Sequence, residues 1–431
     1  MKQERTVGKS ATFHYLPTDK FTNDYFSVHF ILPLRKETVS GYTLLTKLFK
    51  NGCRAYPSQE ALAKRWEELY ATGVSTSVSK QGERQMISFG LDILAECFAF
   101  DGNPPADDAF ALLTDVLTEP CLDAGVFPSE TVAREKAALK AQCRAAINDK
   151  KKYAVQRCRE IMCENEAYSL ALEGTEETID ACTPASLYAL YQHMLKKAEL
   201  EIFYIGREAE NTVYDRVLKL VSKLGERSPV STKTVIKSTA DTPKRATESV
   251  DAVQGKLAVG FRTGITESAT QKEKDALVLF NIIYGSSPIS KLFVNVREKL
   301  SLCYYCASRN DNQKGVLFVH SGVENENAAK AEEEIMLQLS EIQKGNITEN
   351  EIFCAKQAFR DLTRSVYDSP FSIEQWYLTR LLQSDKRSPS EMEADIDALT
   401  VADVAYAASR ITVDTVFFLE GNAKKEDEEG A

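Results

Sequence analysis

The sequence predicts an α+β fold built from two homologous domains, and three observations predict it. Some stretches alternate apolar and polar residues with a period of two. Others repeat apolar residues every three to four positions, and the order of the two kinds in the first half of the chain returns in the second. Between the halves, residues 226–254 are rich in serine, threonine, lysine, proline and aspartate, with little apolar periodicity, and read as a linker. The domains are accordingly placed at 1–225 and 255–431, with a candidate strand at 234–236 inside the linker.

Residues 24–33 alternate, with Phe26, Val28, Phe30 and Leu32 on one face, and read as a strand with one apolar side. A short helix follows at 39–52. Val39, Tyr42, Leu45, Leu48 and Phe49 recur at helical spacing, Leu44 widens the stripe, Thr38 or Ser40 can cap the start, and Gly52 can close the end. A second helix runs from Ser58 as N-cap to Tyr70. Residues 74–80 and 84–91 alternate around Gly82 as a hairpin, and 107–117 are helical after the break at 102–105. Ser129 caps a long alanine-rich helix, ETVAREKAALKAQCRAAI, of high intrinsic propensity. More helix runs to about Ala171, another from Thr183-Pro184 to Lys197, then a strand at 201–205 and a helix at 212–224.

The second half repeats the pattern. Residues 256–261 are a strand, and 273–284 a helix ending at Gly285 as the first ended at Gly52. Residues 301–310 and 315–321 are strands, and 326–343 a helix. The helix at 349–366 sets Lys356 and Phe359 opposite Lys136 and Leu139, and a strand at 416–421 answers 202–206. The charged tail from Ala423 reads as frayed.

The 431 residues suffice for two or three domains with their own cores. A net charge of −10 with no long basic stripe excludes nucleic acid as the expected partner. No apolar run approaches a membrane span, and MKQERTVGKS lacks the apolar core of a secretory signal. Ten cysteines without framework spacing read as free thiols in a reducing cytoplasm, the expected location. Cys303 and Cys306 form a C-x-x-C, but a regular strand splays residues three apart onto opposite faces, so no redox or metal role is expected of them. The four histidines never pair at ligand spacing. No phosphate-cradling glycine loop or G-x-S-x-G elbow occurs.

The helix at 39–52 resembles the zinc-binding helix of the insulinase-like (pitrilysin, M16) metallopeptidases, which reads G-x-x-H-x-x-E-H-x-L-F-K-G. Laid on Leu48-Phe49-Lys50, the first histidine falls on Tyr42, the glutamate on Leu45 and the second histidine on Thr46. In an intact motif two imidazoles one turn apart chelate zinc and the carboxylate activates the metal-bound water. The third family ligand is a glutamate ending an E-x6-E pair on the long helix. Glu135 matches the first member, read here as a solvated helix residue, and Gln142 stands at the ligand. The resemblance therefore implies no metal in this chain.

Residues 290–305, SKLFVNVREKLSLCYY, resemble the family stretch S-x-L-F-x-x-x-R-E-K-x-G-L-x-Y. That match puts Arg297 and Tyr304 where active relatives keep an arginine and a tyrosine that bind substrate backbone and stabilise the oxyanion. An arginine in a structural ion pair and an ordinary strand tyrosine is the plainer account of the same residues; Tyr305 would face the other side. The segment 284–288 corresponds to a glycine-rich, substrate-sensing loop of the mitochondrial processing peptidase's silent subunit. Here it is short, with one glycine, and the function is not carried over.

As a whole, the resemblance implies an M16-like clamshell whose domains are mostly antiparallel sheets flanked by helices. It implies a catalytically silent subunit of a heterodimeric zinc peptidase. Such a subunit helps bind a peptide or small-protein substrate and lends Arg297 and Tyr304, in trans, to a partner whose H-x-x-E-H holds the zinc. The alternative is a non-proteolytic homodimeric peptide-binding or assembly scaffold, of the kind seen in the core subunits of the respiratory bc1 complex. Bacterial relatives are also associated with maturation of a translation elongation factor.

Overall fold

The computed structural model describes residues 3–8, 11–100, 102–240, 242–266 and 268–422. The tail from Ala423 lies outside the described residues. The chain forms two compact units, and neither is a single run of sequence. The first takes the chain up to Arg144, Leu170–Lys233 and Tyr367–Trp376. The second takes Ala145–Ser169, Thr234–Val366 and the chain from Tyr377 onward.

In the first unit six strands, β1 (Gln3–Val7), β2 (Ala11–Pro17), β3 (Asn23–Pro33), β4 (Gly73–Gln81), β5 (Arg84–Leu94) and β6 (Glu199–Gly206), form one sheet in the order β1-β2-β6-β3-β5-β4. Only the β2–β6 pairing is parallel. The second unit arranges β7 (Lys244–Val250), β8 (Gly255–Arg262), β9 (Cys303–Asp311), β10 (Val316–Val323) and β11 (Thr412–Gly421) as β7-β11-β8-β10-β9, with only β7–β11 parallel. The second order is the first with β1 removed, so the repeat visible in the sequence is a repeat of topology. β7 lies in the stretch read as linker, while 234–236 joins no strand. Its sequence, KRATESV, is polar because β7 is an edge strand with every second residue in solvent.

The side chains at the sheets' first faces follow the expected periods. Phe26, Val28, Phe30 and Leu32 are buried with Tyr42, Leu45, Leu48 and Phe49 of the Val39–Leu48 helix and its extension. Phe49 meets the Phe89 ring edge-on at 5.0 Å, a contact of about 1 kcal/mol beyond its area. β3, however, is buried on both faces, not one. Ser27 and His29 are sealed because Tyr367–Trp376 covers them: Ser27 donates to Glu374 Oε1 at 3.0 Å and His29 pairs with the same carboxylate. Burying that carboxylate is affordable only because it is paired.

The second unit uses the same device with the chain segments exchanged. Ala154, Cys158 and Met162 of the Lys150–Met162 helix pack on Ala258, Phe318 and Phe417. A Cβ on Gly260 would stand 2.7 Å from Met162 Sδ, so the close approach requires glycine. Beside it, fully buried Arg262 donates to Glu166 at 2.7 Å and Asp414 at 2.8 Å, and Lys314 meets Glu166 at 2.6 Å. Among the described residues no helix is long and apolar enough to cross a membrane.

Candidate functional site

Of the degenerate zinc positions, three lie on the Val39–Leu48 helix and are buried: Tyr42, Leu45 and Thr46. The Tyr42 hydroxyl is 2.8 Å from Nδ1 of His193. Burial holds the phenol protonated by pushing its pKa up, and burial also pulls His193 down, so the neutral ring can accept at Nδ1. Thr46 spends its hydroxyl on the Thr43 carbonyl at 2.7 Å, and Leu45 contributes only packing. Gln142 sits exposed on the Ser129–Ala145 helix and donates to Glu173 at 3.2 Å. The Glu173 backbone carbonyl in turn accepts from Ser40 at 2.8 Å, so Glu173 links Gln142 to the helix. A protonated phenol, a threonine already donating, a leucine and a glutamine do not fit a zinc site. Glu135 takes hydrogen bonds from Asn51 and Arg134, a local surface role in place of the solvated residue expected.

Arg297 and Tyr304 are brought together in the second unit. Both line a cavity of about 390 Å³ with Glu298, Cys303, Glu324 and Asn327. Arg297 is near the end of a π-helical segment, Leu292–Lys299, a wide coil that is rare in proteins and concentrated at functional sites. Its guanidinium lies 4.7 Å over the Phe293 ring and its Nε is 3.5 Å from Glu298. The segment ends with the Ser301 amide bonded to the Arg297 carbonyl and with Ser301 at φ +50°. That is the place where the family stretch has glycine, and the left-handed backbone explains why.

Tyr304 owes its position to an irregularity in β9. Along β10, Ser321 faces Cys306 and Gly322 faces Tyr305, but Val323 faces Cys303, so Tyr304 is left unpaired as a bulge. Bulges re-aim side chains and gather beside active sites. Here the bulge leaves Tyr304 66% exposed, with a long 3.4 Å contact to Glu324. Exposed contacts of this kind are worth under about 1 kcal/mol, so a ligand can displace those of Arg297 and Tyr304 alike. The site thus offers a guanidinium and a phenol to an oxygen atom, and among the described residues no group of three or more histidine, cysteine or carboxylate side chains could hold a metal ion. Tyr305 lies on the opposite face, under Lys151 Nζ at 4.7 Å and edge-on to His320.

The bulge also corrects the reading of Cys303 and Cys306. Their partners Val323 and Ser321 are two apart on β10 and share a face, so the two thiols share one as well. Cys303 as a cavity residue was not found from sequence, because nothing in LSLCYYC marks where a bulge falls. The histidines, which do not pair at ligand spacing, have specific settings: besides His29 and His193, His14 bonds Glu201 at 2.6 Å and stacks on Phe203.

Residues 181–359 match the family described as the peptidase M16 inactive domain. The chain is 32% identical over 410 residues to YmfF of Bacillus subtilis (strain 168), described as a probable inactive metalloprotease, with 95% of this chain and 96% of that protein covered. It superposes on the crystal structure of a conserved protein from Enterococcus faecalis V583 with a TM-score of 0.90 at 28% identity, covering 99% of this chain and 100% of that one. A peptidase M16 inactive domain from Pseudomonas fluorescens shares the fold with a TM-score of 0.77 at 18% identity, with 99% of both chains covered.

Proposed function

The chain belongs to the M16 peptidase family, on its inactive side, and from that premise we propose that it is the metal-free subunit of a heterodimeric M16 zinc peptidase. The observation that carries this reading is the contrast between two sites. The positions of the zinc helix are spent on internal packing and hydrogen bonds. The arginine and tyrosine are presented together, accessible, at one cavity.

The partner brings H-x-x-E-H, and with it the zinc, the water and the general base. This chain brings substrate binding and two donors. As a water attacks the scissile carbonyl of a peptide, negative charge grows on the carbonyl oxygen. A guanidinium and a phenol aimed at that oxygen stabilise it more than the ground-state carbonyl, which is what lowers a barrier. The ten cysteines fit a reducing cytoplasm as the place where the pair works.

Co-expression with an M16 homologue carrying H-x-x-E-H tests the reading. The two chains are expected to elute as one complex that cleaves peptides, while each chain alone does not. The complex is expected to hold about one zinc per pair, on the partner. A homodimer of this chain that ignores such a homologue, or that binds stoichiometric zinc and cleaves peptides by itself, would replace this reading.

A further inference from the structure

We propose that Cys303 and Cys306 are a reversible covalent modification site, a dithiol that peroxide closes to a disulfide around Tyr304. Two residues three apart in a regular strand point to opposite faces and stand too far apart to bridge, since a disulfide needs its Cα atoms within about 7 Å. The bulge at Tyr304 removes both obstacles: it puts the thiols on one face and folds the strand between them. Ser321 and Val323 opposite them are fully buried, so the shared face is the interior one, with Cys306 buried and Cys303 half-buried at the rim of the cavity.

The two thiols are unequal in a useful way. Cys303 is lowered to about 7, first by the hydrogen bond from the Cys306 thiol against the opposing effect of burial, then by Ser321 and the charge of Arg297. Cys306 is pushed well above its ordinary value by the same hydrogen bond and by its burial. Cys303 is therefore the thiolate that reacts and Cys306 the thiol that resolves.

The chemistry balances with hydrogen peroxide as oxidant. The Cys303 thiolate attacks one peroxide oxygen, the O–O bond breaks, and hydroxide leaves, giving a sulfenic acid. The Cys306 sulfur then attacks the Cys303 sulfur. The S–O bond breaks and water departs with the Cys306 proton. The two thiols have lost two electrons to the peroxide, and a dithiol reductant returns them by exchange. A closed bridge ties the strand on both sides of Tyr304. On the function proposed above it would change how that donor is presented, but the bridge itself is detected without any peptidase assay.

The test uses the reduced full-length chain, treated with hydrogen peroxide, blocked with iodoacetamide and digested with trypsin. Peptide 300–309 contains both cysteines and no others. It is expected to appear unalkylated and lighter by two hydrogens, recovering both alkylation sites after dithiothreitol. Before oxidation, Cys303 is expected to alkylate at neutral pH on the order of tenfold faster than exposed Cys97, because its own pKa is lowered. In Cys306→Ser, Cys303 is expected to remain as a sulfenic acid that dimedone traps. If the wild-type peptide stays fully alkylated after peroxide, or Cys303 reacts no faster than Cys97, the proposal is overturned. That holds whether or not the peptidase reading stands.

Discussion

Lys136 and Lys356 make the same interaction in the two halves of the chain. Lys136 Nζ donates to the carbonyls of Asp180 and Cys182 at 2.9 and 2.7 Å, and Lys356 Nζ to those of Asp397 and Leu399 at 2.8 and 2.7 Å. Each ammonium closes the C-terminal end of a short helix, Glu176–Asp180 in one half and Pro389–Asp397 in the other, where free carbonyls favour a cation. Immediately after each, a threonine, Thr183 or Thr400, opens the next helix with a capping box. The duplication is thus kept in hydrogen bonds as well as in element order.

Replacing either lysine by methionine keeps the stem and removes the donor. Each change is expected to cost about 1–2 kcal/mol, since two charge-assisted bonds to backbone are lost at a partly exposed site. Being on equivalent but separate elements, the two should add. Urea unfolding of Lys136→Met, Lys356→Met and the double variant checks this; a loss in one variant only would show that the equivalence is geometric and not energetic.

Glu166 is the counter-charge for two buried cations. Burial works against its carboxylate, but hydrogen bonds from Arg262 and Lys314 outweigh burial and hold its pKa below the ordinary value. Its stabilisation is therefore fully present above the unfolded-state value, about 4.3, and is lost as pH falls through the lower folded-state one. Glu166→Gln is expected to cost about 3 kcal/mol at neutral pH, because the cations stay buried. The gap to wild type in urea midpoint should hold from about pH 7 to about pH 5 and narrow as the pH falls below about 4. An equal gap at neutral pH and in acid would mean that Glu166 acts by shape alone.

Much of the fold was legible in the sequence because the periods were clean. The apolar stripe of the Val39–Leu48 helix and the apolar side of β3 are buried as their spacing required. What stayed hidden has three physical causes. β2, ATFHYLP, is buried along nearly its whole length and so lacks alternation, while β7 is a polar edge; neither carries a strand's usual pattern. The second faces of β3 and β8 are covered by Tyr367–Trp376 and by Lys150–Met162, from the other half of the sequence, and no local pattern announces that exchange. At the site, the spacing of Arg297 and Tyr304 was readable. The bulge that exposes Tyr304 and aligns Cys303 with Cys306 was not, because it depends on the register with β10.

The exchange makes a prediction about proteolysis. Residues 226–240 form no helix or strand, and Lys233 and Lys237 are exposed there, although Thr232 and Thr234, on either side of Lys233, are buried. Trypsin should cut this stretch first and give two fragments of roughly half the mass each. They should separate in denaturant yet co-elute under native conditions, because each supplies a segment that the other's sheet needs. Native separation of the fragments would contradict the exchanged packing.

The central claim is that Arg297 and Tyr304 serve a zinc site on another chain. The most direct measurement is the turnover of a reconstituted pair in which only this chain is altered. With Arg297→Ala or Tyr304→Phe against an unmodified H-x-x-E-H partner, size-exclusion chromatography should show an intact heterodimer, since both side chains are exposed. Its kcat should fall on the order of a hundredfold, corresponding to about 3 kcal/mol of lost oxyanion stabilisation. A pair that forms normally and cleaves at the full rate with either change would contradict the claim and leave this chain as a scaffold.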